Sequence, residues 1–383
     1  MIYHITFPHK PFLESSLHHF ESVRPGINKV ILLTNKQNER NPCSVTNDIL
    51  LYKGALSADV VDMVNSSECS GVFIYWLTDE LMELVLKIDK NIPIYWRSYG
   101  PDINNILYKD TKGFYEKETK KLISNNLFKH FAKNLFRPLF HYLNGTLKIQ
   151  NSAFKKKELF LRRINYVGTV TNYEFEQINK FLPNFSAKKL VSILINPNPI
   201  PILSRVEGRD IMVGHSSFPI LNHVDVFDKL SNIGLVDNKI IVPLSYGNRE
   251  YGDKVINYGK KLFGSKLIPL IEYLPLEKYN EVINQCNTFI LNSLVQQGGA
   301  NIRHFLLTGK KVYIHHNNPL FIDLVNQGFK LFSIQRDLTF EHLYNYQISQ
   351  KDKERNRILV LDLFYSEEAI RNHTNKIIKV LGG

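Results

Sequence analysis

The sequence predicts an α/β protein with two successive parallel-sheet domains. Short apolar runs alternate with helical stretches from the N-terminus, and the same alternation resumes at residue 210. A Pro-rich cluster at residues 196–201 lies between the two regions and is typical of a linker. The chain has 383 residues, of which 44% are hydrophobic, and this is too much for one ordinary core.

The first domain is expected to span residues 1–200. Apolar runs predict strands at 1–7, 30–33, 71–76, 92–97 and 164–171, and helical spacing predicts a helix at 78–88. The N-terminus reads as a strand and lacks the features of a secretion signal. No apolar run is long enough to span a bilayer. Three scattered cysteines fit free thiols, so we expect a cytoplasmic protein.

The second domain is expected to span residues 201–383, with its last helix able to pack back on the first domain. Strands are predicted at 210–214, 239–244, 265–270, 288–291 and 311–315, and helices follow from about residues 222 and 251. Ligands of open parallel sheets bind at the carboxyl ends of the strands, near helix N-termini. We therefore expect two Rossmann-like domains facing each other across a cleft that holds the site.

A basic aromatic segment occupies residues 109–163. It carries fourteen Lys and Arg against four Asp and Glu, which is most of the net charge of +12. Residues 127–136 predict an amphipathic helix with Lys129, Lys133 and Arg137 on one face. An ordinary surface helix is the alternative. The concentrated charge favours an anionic membrane surface as partner. No nucleic-acid-binding motif is recognisable, and we expect no nucleic acid.

Two loops of the second domain predict a site for a diphosphate. Gly214, His215 and Ser216 follow a strand and lead to a helix at Asn222, so they place donors at the sheet end. The alternative is a routine turn with a serine cap. The second loop opens a helix with paired glycines, whose free backbone N–H groups and dipole favour an anion. Its candidate residues are Gln296, Gln297, Gly298 and Asn301.

A third polar cluster ends a strand of the first domain. Arg97, Tyr99 and Asp102 offer a cation, a phenol and a carboxylate there. The alternative is a turn in which Arg97 pairs with Asp102. In the second domain, Tyr246 lies at the tip of a further strand-end loop, for which a solvated loop is the rival interpretation.

Several motifs are absent from the sequence. It has no Asp-x-Asp pair, no cluster with zinc spacing and no Gly-x-Gly-x-x-Gly. We therefore expect no metal and no other cofactor. A diphosphate leaving group would then be stabilised by helix amides, hydroxyls and cations.

The second half of the chain resembles the TDP-Fuc4NAc:lipid II Fuc4NAc transferases, glycosyltransferase family 56. The likeness covers roughly residues 205–325, in the segments 211–216, 222–223, 242–246, 272–279, 285–287, 296–298 and 318–321. It is thinner in the first half, which is expected to select the acceptor. Where this sequence has His215, the family has Asn. The resemblance implies a GT-B fold, a TDP-sugar donor, and a polyprenyl-diphosphate-linked acceptor at the inner membrane face, where the protein would be peripheral.

On this interpretation the second domain binds the nucleotide sugar and the first domain supplies the base. Asp102 is the first candidate for the base that accepts the acceptor proton, and His9 is the second. Arg97 and Tyr99 would lie on the acceptor side. The donor contacts are expected to be Gly214, His215, Ser216, Asn222, Tyr246, Tyr279, Gln296, Gln297, Gly298 and Asn301.

Two rival functions remain open at this stage. One is a glycosyltransferase that uses a UDP- or GDP-sugar on a capsule or lipopolysaccharide acceptor. The other is a basic nucleic-acid-binding protein that uses the segment 109–163.

Overall fold

A computed structural model describes residues 1–6, 10–33, 49–52, 56–107, 112–124, 147–183, 185–190 and 208–382. The predicted basic helix at 127–136, the linker at 196–201 and the candidate base His9 lie outside these residues. The chain forms two compact units. The first unit is Met1–Lys109, Leu139–Pro199 and Asp362–Gly383, and the second unit is Asp110–Pro138 and Ile200–Leu361.

The first unit is built on a seven-stranded sheet with the order β3-β2-β1-β4-β5-β6-β7. The paired strands are parallel, and every residue of β1 is buried, as expected for strands covered on both faces. The strands are β1 (Ile2–Thr6), β2 (Asn28–Leu33), β3 (Ile49–Tyr52), β4 (Gly71–Tyr75), β5 (Ile94–Arg97), β6 (Tyr166–Gly168) and β7 (Lys188–Lys189).

The helices of the first unit cover this sheet. Polar caps fix two helix starts: the Thr78 hydroxyl accepts a hydrogen bond from the Leu81 amide, and Thr171 forms a capping box with Glu174. The helices are α1 (Lys10–Val23), α2 (Ala58–Val64), α3 (Asp79–Lys87), α4 (Pro101–Leu107), α6 (Leu147–Arg163), α7 (Asn172–Phe181) and α16 (Glu367–Val380).

The second unit is built on a six-stranded parallel sheet with the order β10-β9-β8-β11-β12-β13. Its strands are β8 (Asp210–Val213), β9 (Ile240–Pro243), β10 (Leu267–Leu270), β11 (Cys286–Leu291), β12 (Lys311–Ile314) and β13 (Phe332–Ser333). The central strand β8 pairs with β9 and β11, so the loops that follow β8 and β11 leave the sheet side by side.

Most helices of the second unit follow these strands in the chain. One exception is α5 (Lys117–Ser124), which comes from the first third of the sequence and packs on α8. The others are α8 (His223–Ile233), α9 (Arg249–Phe263), α10 (Leu276–Asn284), α11 (Gly299–Leu307), α12 (Pro319–Asn326), α13 (Ile334–Asp337) and α14 (Phe340–Tyr344). The helix α15 (Gln350–Phe364) is divided in the chain, since residues 350–361 belong to the second unit and residues 362–364 to the first.

The predicted α/β class is confirmed, and every strand predicted from an apolar run is present, with each end within three residues of its predicted position. The sequence pattern did not predict β3, β7 and β13, of which the last two have only two residues each. In the described part of the chain, no helix is both long enough and apolar enough to cross a membrane.

The C-terminal helix α16 belongs to the first unit. It packs on α1, and its buried Ile370 and Ile377 share a core cluster with Phe20 of α1. Leu381, which ends the helix, is fully buried against the start of β4. A Cβ atom added to Gly71 would lie 2.6 Å from the Leu381 carbonyl oxygen. The close approach of the chain end to β4 therefore requires glycine at position 71.

We predict that Gly71→Ala lowers the free energy of unfolding by about 1–3 kcal/mol, because the methyl group overlaps backbone atoms that can move only with the helix. Gly113→Ala is the control, since a Cβ atom there would meet nothing within 4 Å. Urea unfolding of both variants measures the difference. Equal midpoints would contradict the tight packing of Leu381 on β4.

Candidate functional site

The candidate donor site lies at the carboxyl edge of the second sheet. Gly214, His215 and Ser216 follow β8, and the loop that leads to α11 follows the neighbouring strand β11. A Cβ atom on Gly298 in that loop would lie 3.0 Å from Cδ2 of His215, so the two loops are in direct contact. The parallel register thus brings together two motifs that are separated by about eighty residues.

Three polar atoms in these loops are buried and have no hydrogen-bond partner among the described residues. By hydrogen-bond geometry they are His215 Nε2, Ser216 Oγ and Gln297 Oε1. The pKa values of His215 and Tyr246 nevertheless respond to the Gln297 and Ser216 side chains, so these groups also lie close to one another. A buried polar atom without a partner costs about 1–3 kcal/mol. Such atoms at a sheet edge where ligands bind indicate a site whose partners come from a ligand.

The His215 side chain is held by a hydrogen bond with a second aromatic residue. Its Nδ1 lies 3.0 Å from the hydroxyl of the half-exposed Tyr246, and the two rings are 6.3 Å apart. Burial lowers the pKa of His215 to about 4, although the nearby Gln297 side chain acts in the opposite direction. The imidazole is therefore neutral at pH 7 and can offer one donor or one acceptor.

The loop that opens α11 has the backbone expected of an anion site. Gly298 adopts a left-handed conformation with φ of +69° and caps the helix without a side-chain hydrogen bond. The first N–H groups of α11 therefore have no side-chain cap. On the same helix, Asn301 Oδ1 accepts a hydrogen bond of 3.2 Å from the Tyr279 hydroxyl. Two further predicted donor contacts are thus adjacent.

Asn222 differs from the other predicted donor contacts, because its side chain is fully buried and occupied by protein partners. Its Oδ1 accepts from the Glu116 amide, and its Nδ2 donates to the carbonyls of Phe114 and Asn292. The residue has a left-handed φ of 49°, which Asn tolerates better than most side chains. Its role as a donor contact stays a prediction, as does the role of Gln296.

Glu116 was not identified from the sequence, yet it lies at the same edge. Its Oε1 is 3.3 Å from Nε2 of His315, and its Oε2 accepts from Asn292 Nδ2 at 2.5 Å. His315 Nδ1 accepts from the Asn317 amide, so its proton is on Nε2 and points to the carboxylate. Burial alone would raise the pKa of Glu116, but the His315 and Asn292 hydrogen bonds hold it below its usual value.

In the first unit, Asp102 is buried in the first turn of α4, shortly after β5, and both carboxylate oxygens are occupied. Oδ1 accepts from the Tyr99 and Ile103 amides, and Oδ2 accepts from the Leu77 amide and from Trp96 Nε1. Burial raises the pKa of Asp102. These four hydrogen bonds hold the carboxylate in place and use both of its oxygens. The role of Asp102 as a base stays a prediction, and so does the acceptor-side role of Tyr99.

Comparison with known proteins identifies the class. The chain has the fold of solved structures of HepE from Anabaena with UDP and glucose, with a TM-score of 0.62, 11% identity and coverage of 99% of both chains. A glycosyltransferase from Rickettsia africae matches with a TM-score of 0.61, 10% identity, and coverage of 99% of this chain and 98% of that one. Sucrose-phosphate synthase from Thermosynechococcus elongatus matches with a TM-score of 0.62, 9% identity, and coverage of 99% of this chain and 98% of that one.

The protein is a glycosyltransferase with the GT-B fold. Residues 197–375 match the model of a family described as 4-alpha-L-fucosyltransferase glycosyl transferase group 56, and the resemblance predicted from the sequence is confirmed over this segment. Within the described residues, no group of three or more His, Cys, Asp or Glu side chains could hold a metal ion.

The neutral state of His215 generates a pH prediction. Its folded pKa of about 4 lies below the usual 6.5, so between these values the unfolded chain binds a proton that the folded chain does not. The free energy of unfolding should therefore fall as the pH drops from 6.5 to 4. His215→Gln should reduce this slope by about 1 kcal/mol per pH unit.

Urea unfolding at several pH values between 4.5 and 7 measures the slope. Other buried histidines, such as His4 and His223, keep part of the dependence in the variant because burial also lowers their pKa values. An unchanged slope in His215→Gln would show that His215 is not a buried neutral group.

Proposed function

We propose that this enzyme transfers a deoxy-amino sugar from a TDP-sugar, such as TDP-Fuc4NAc, to a polyprenyl-diphosphate-linked saccharide during the assembly of a bacterial surface polysaccharide. The observation that carries the proposal is the family match over residues 197–375, which contain the unpartnered polar cluster of the second unit. The cluster supports the donor side of the reaction, and the family supports the choice of sugar and acceptor.

The start of α11 suits a diphosphate. Uncapped N–H groups and the helix dipole attract negative charge, and the left-handed Gly298 leaves the backbone open to close approach. Arg303, one turn into α11, adds a cation: its Nη1 lies 3.4 Å from where a Cβ atom on Gly299 would be. The guanidinium therefore folds back over the helix start. These groups would stabilise the charge that develops on the departing nucleotide diphosphate.

Neutral groups beside this charge suit the sugar. His215 Nε2 and Ser216 Oγ can donate to oxygen atoms, while Gln297 Oε1 can accept from a hydroxyl or N–H group. Donors and an acceptor in one cluster therefore favour a sugar attached to the diphosphate over a free phosphate ligand. Tyr246 and Tyr279 would flank the nucleotide.

We further propose that the enzyme works at the cytoplasmic face of the inner membrane as a peripheral protein. The support is the charge of the segment 109–163, since an anionic leaflet attracts clustered Lys and Arg. The alternative donors, UDP- and GDP-sugars, belong in the same test, because HepE, which shares the fold, was solved with UDP-glucose.

A titration with TDP-, UDP- and GDP-sugars followed by calorimetry tests the donor site. We expect the TDP-sugar to bind most tightly, with unchanged affinity in EDTA. Gly298→Ala should weaken donor binding about fivefold or more, because the methyl group strains the left-handed turn and crowds His215.

Gly234→Ala is the matched control, since Gly234 also has a positive φ, of +85°, but a Cβ atom there meets nothing within 4 Å. It should lose stability and keep donor affinity. Equal donor affinity in both folded variants would remove the α11 loop from the site. Tighter binding of a UDP- or GDP-sugar would overturn the TDP assignment, and a requirement for Mg²⁺ would overturn metal-independent binding.

Flotation with vesicles tests the membrane proposal. Wild-type protein should float with anionic vesicles, stay down with neutral ones, and be released by salt. Replacing Lys129, Lys133 and Arg137 by Gln should release it, at roughly 1 kcal/mol for each charge. The control removes the same charge from the exposed Lys260, Lys261 and Lys351. Wild-type protein that does not float with anionic vesicles would contradict the membrane proposal.

A further inference from the structure

Trp76 has an unusual conformation at the carboxyl edge of the first sheet. It follows β4 directly, has a φ of +50°, and leaves 44% of its side chain exposed. A bulky residue in the left-handed region costs on the order of 1–3 kcal/mol and is retained where the surrounding structure requires it. A single exposed ring is common on protein surfaces, so the feature to explain is the left-handed backbone, which holds the indole at the end of the sheet.

The Trp76 ring lies beside a second aromatic residue that leads to a buried cation. Its centroid is 6.0 Å from that of Tyr99, and the rings are inclined by 35°. The guanidinium carbon of Arg97 is 5.1 Å from the Tyr99 ring and 5.9 Å from the Tyr75 ring. An exposed indole, a phenol and a guanidinium are thus consecutive neighbours where β4 and β5 end.

Arg97 has no anionic partner within the described residues. Only 2% of the residue is exposed, and Nη1 donates to Ser16 Oγ at 3.0 Å. Among the side chains that the structure describes, Nε has no partner. Asp102, five residues further on, is occupied by other donors. A buried cation without a counter-ion is costly, and a guanidinium fork matches a carboxylate or phosphate.

We propose that Trp76 and Arg97 form an acceptor subsite in the first unit, in which Trp76 stacks on a sugar ring and Arg97 binds a carboxylate or phosphate group of the same acceptor. The proposal rests on the proposed function in taking the ligand to be the glycosyl acceptor. The aromatic face selects a saccharide, and the buried guanidinium selects a negatively charged one. Trp76 is a new specificity residue, since its sequence pattern predicts only the end of a strand.

Trp76 can report on its own ligand. The chain has two tryptophans, and Trp96 is fully buried, so a ligand that quenches emission acts on Trp76. We expect saturable quenching by glucuronic acid or by glucose 1-phosphate and about tenfold to hundredfold weaker quenching by glucose, which lacks the charged group. The stronger of the two acidic ligands distinguishes a carboxylate from a phosphate as the recognised group.

Two substitutions separate the roles. Arg97→Gln should remove the preference for acidic ligands over glucose, and Arg97→Lys should recover part of it, because the charge remains without the planar fork. Trp76→Gly should relieve the left-handed strain, so its stability should equal or exceed that of the wild type while calorimetry shows loss of acidic-ligand binding. Leu86→Ala, at an exposed apolar residue of α3, is the control and should change neither the stability nor the binding of acidic ligands.

Three outcomes would overturn the subsite. They are the absence of any Trp76 response to acidic ligands in protein that binds a nucleotide sugar, equal responses to glucose and glucuronic acid, and a Trp76→Gly variant that is destabilised yet still binds. The first leaves the proposed function intact. Acidic-ligand binding in protein that binds no nucleotide sugar would instead defeat the proposed function alone.

Discussion

The buried amide of Asn222 joins three stretches of the second unit that are far apart in the sequence. It accepts from the Glu116 amide and donates to the carbonyls of Phe114 and Asn292. A buried backbone group without a partner costs about as much as a lost hydrogen bond, so each connection at this edge needs a partner. The left-handed backbone of Asn222 directs the amide inward, and the segment 112–124 and the end of β11 are positioned by it.

The same edge contains two kinds of polar group. Glu116 connects the other two members of a polar network, because its carboxylate contacts His315 and its backbone amide donates to Asn222. Networks of this kind are rigid. His215 Nε2 and Ser216 Oγ are equally buried but have no described partner. The paired groups hold the strand ends in register, and the unpaired ones carry a cost that a bound ligand would recover. The paired scaffold and the proposed donor site are therefore separate sets of side chains on adjacent loops.

Arg97 at the end of β5 and Asp102 in the first turn of α4 carry opposite charges and have different surroundings. Asp102 receives four hydrogen bonds from N–H donors, whereas Arg97 lies between aromatic rings and donates to one hydroxyl. Their short spacing in the sequence allows a structural ion pair. In the fold, the N–H groups of Leu77 and Trp96 occupy the carboxylate instead. The carboxylate orders the loop, and the guanidinium retains its capacity for an anion.

The sequence by itself determined the α/β class, nearly all of the longer strands and the two glycine-containing loops of the donor unit. These features follow from local patterns, because apolar runs mark buried strands and glycines mark positive backbone angles. It did not indicate Glu116, whose partners His315 and Asn292 are more than 170 residues away. Nor did it indicate the conformation of Trp76, since no local pattern predicts a left-handed tryptophan. Only the tertiary structure decided which polar atoms are paired and which are left unpaired, because pairing depends on what the folded chain brings within hydrogen-bond distance.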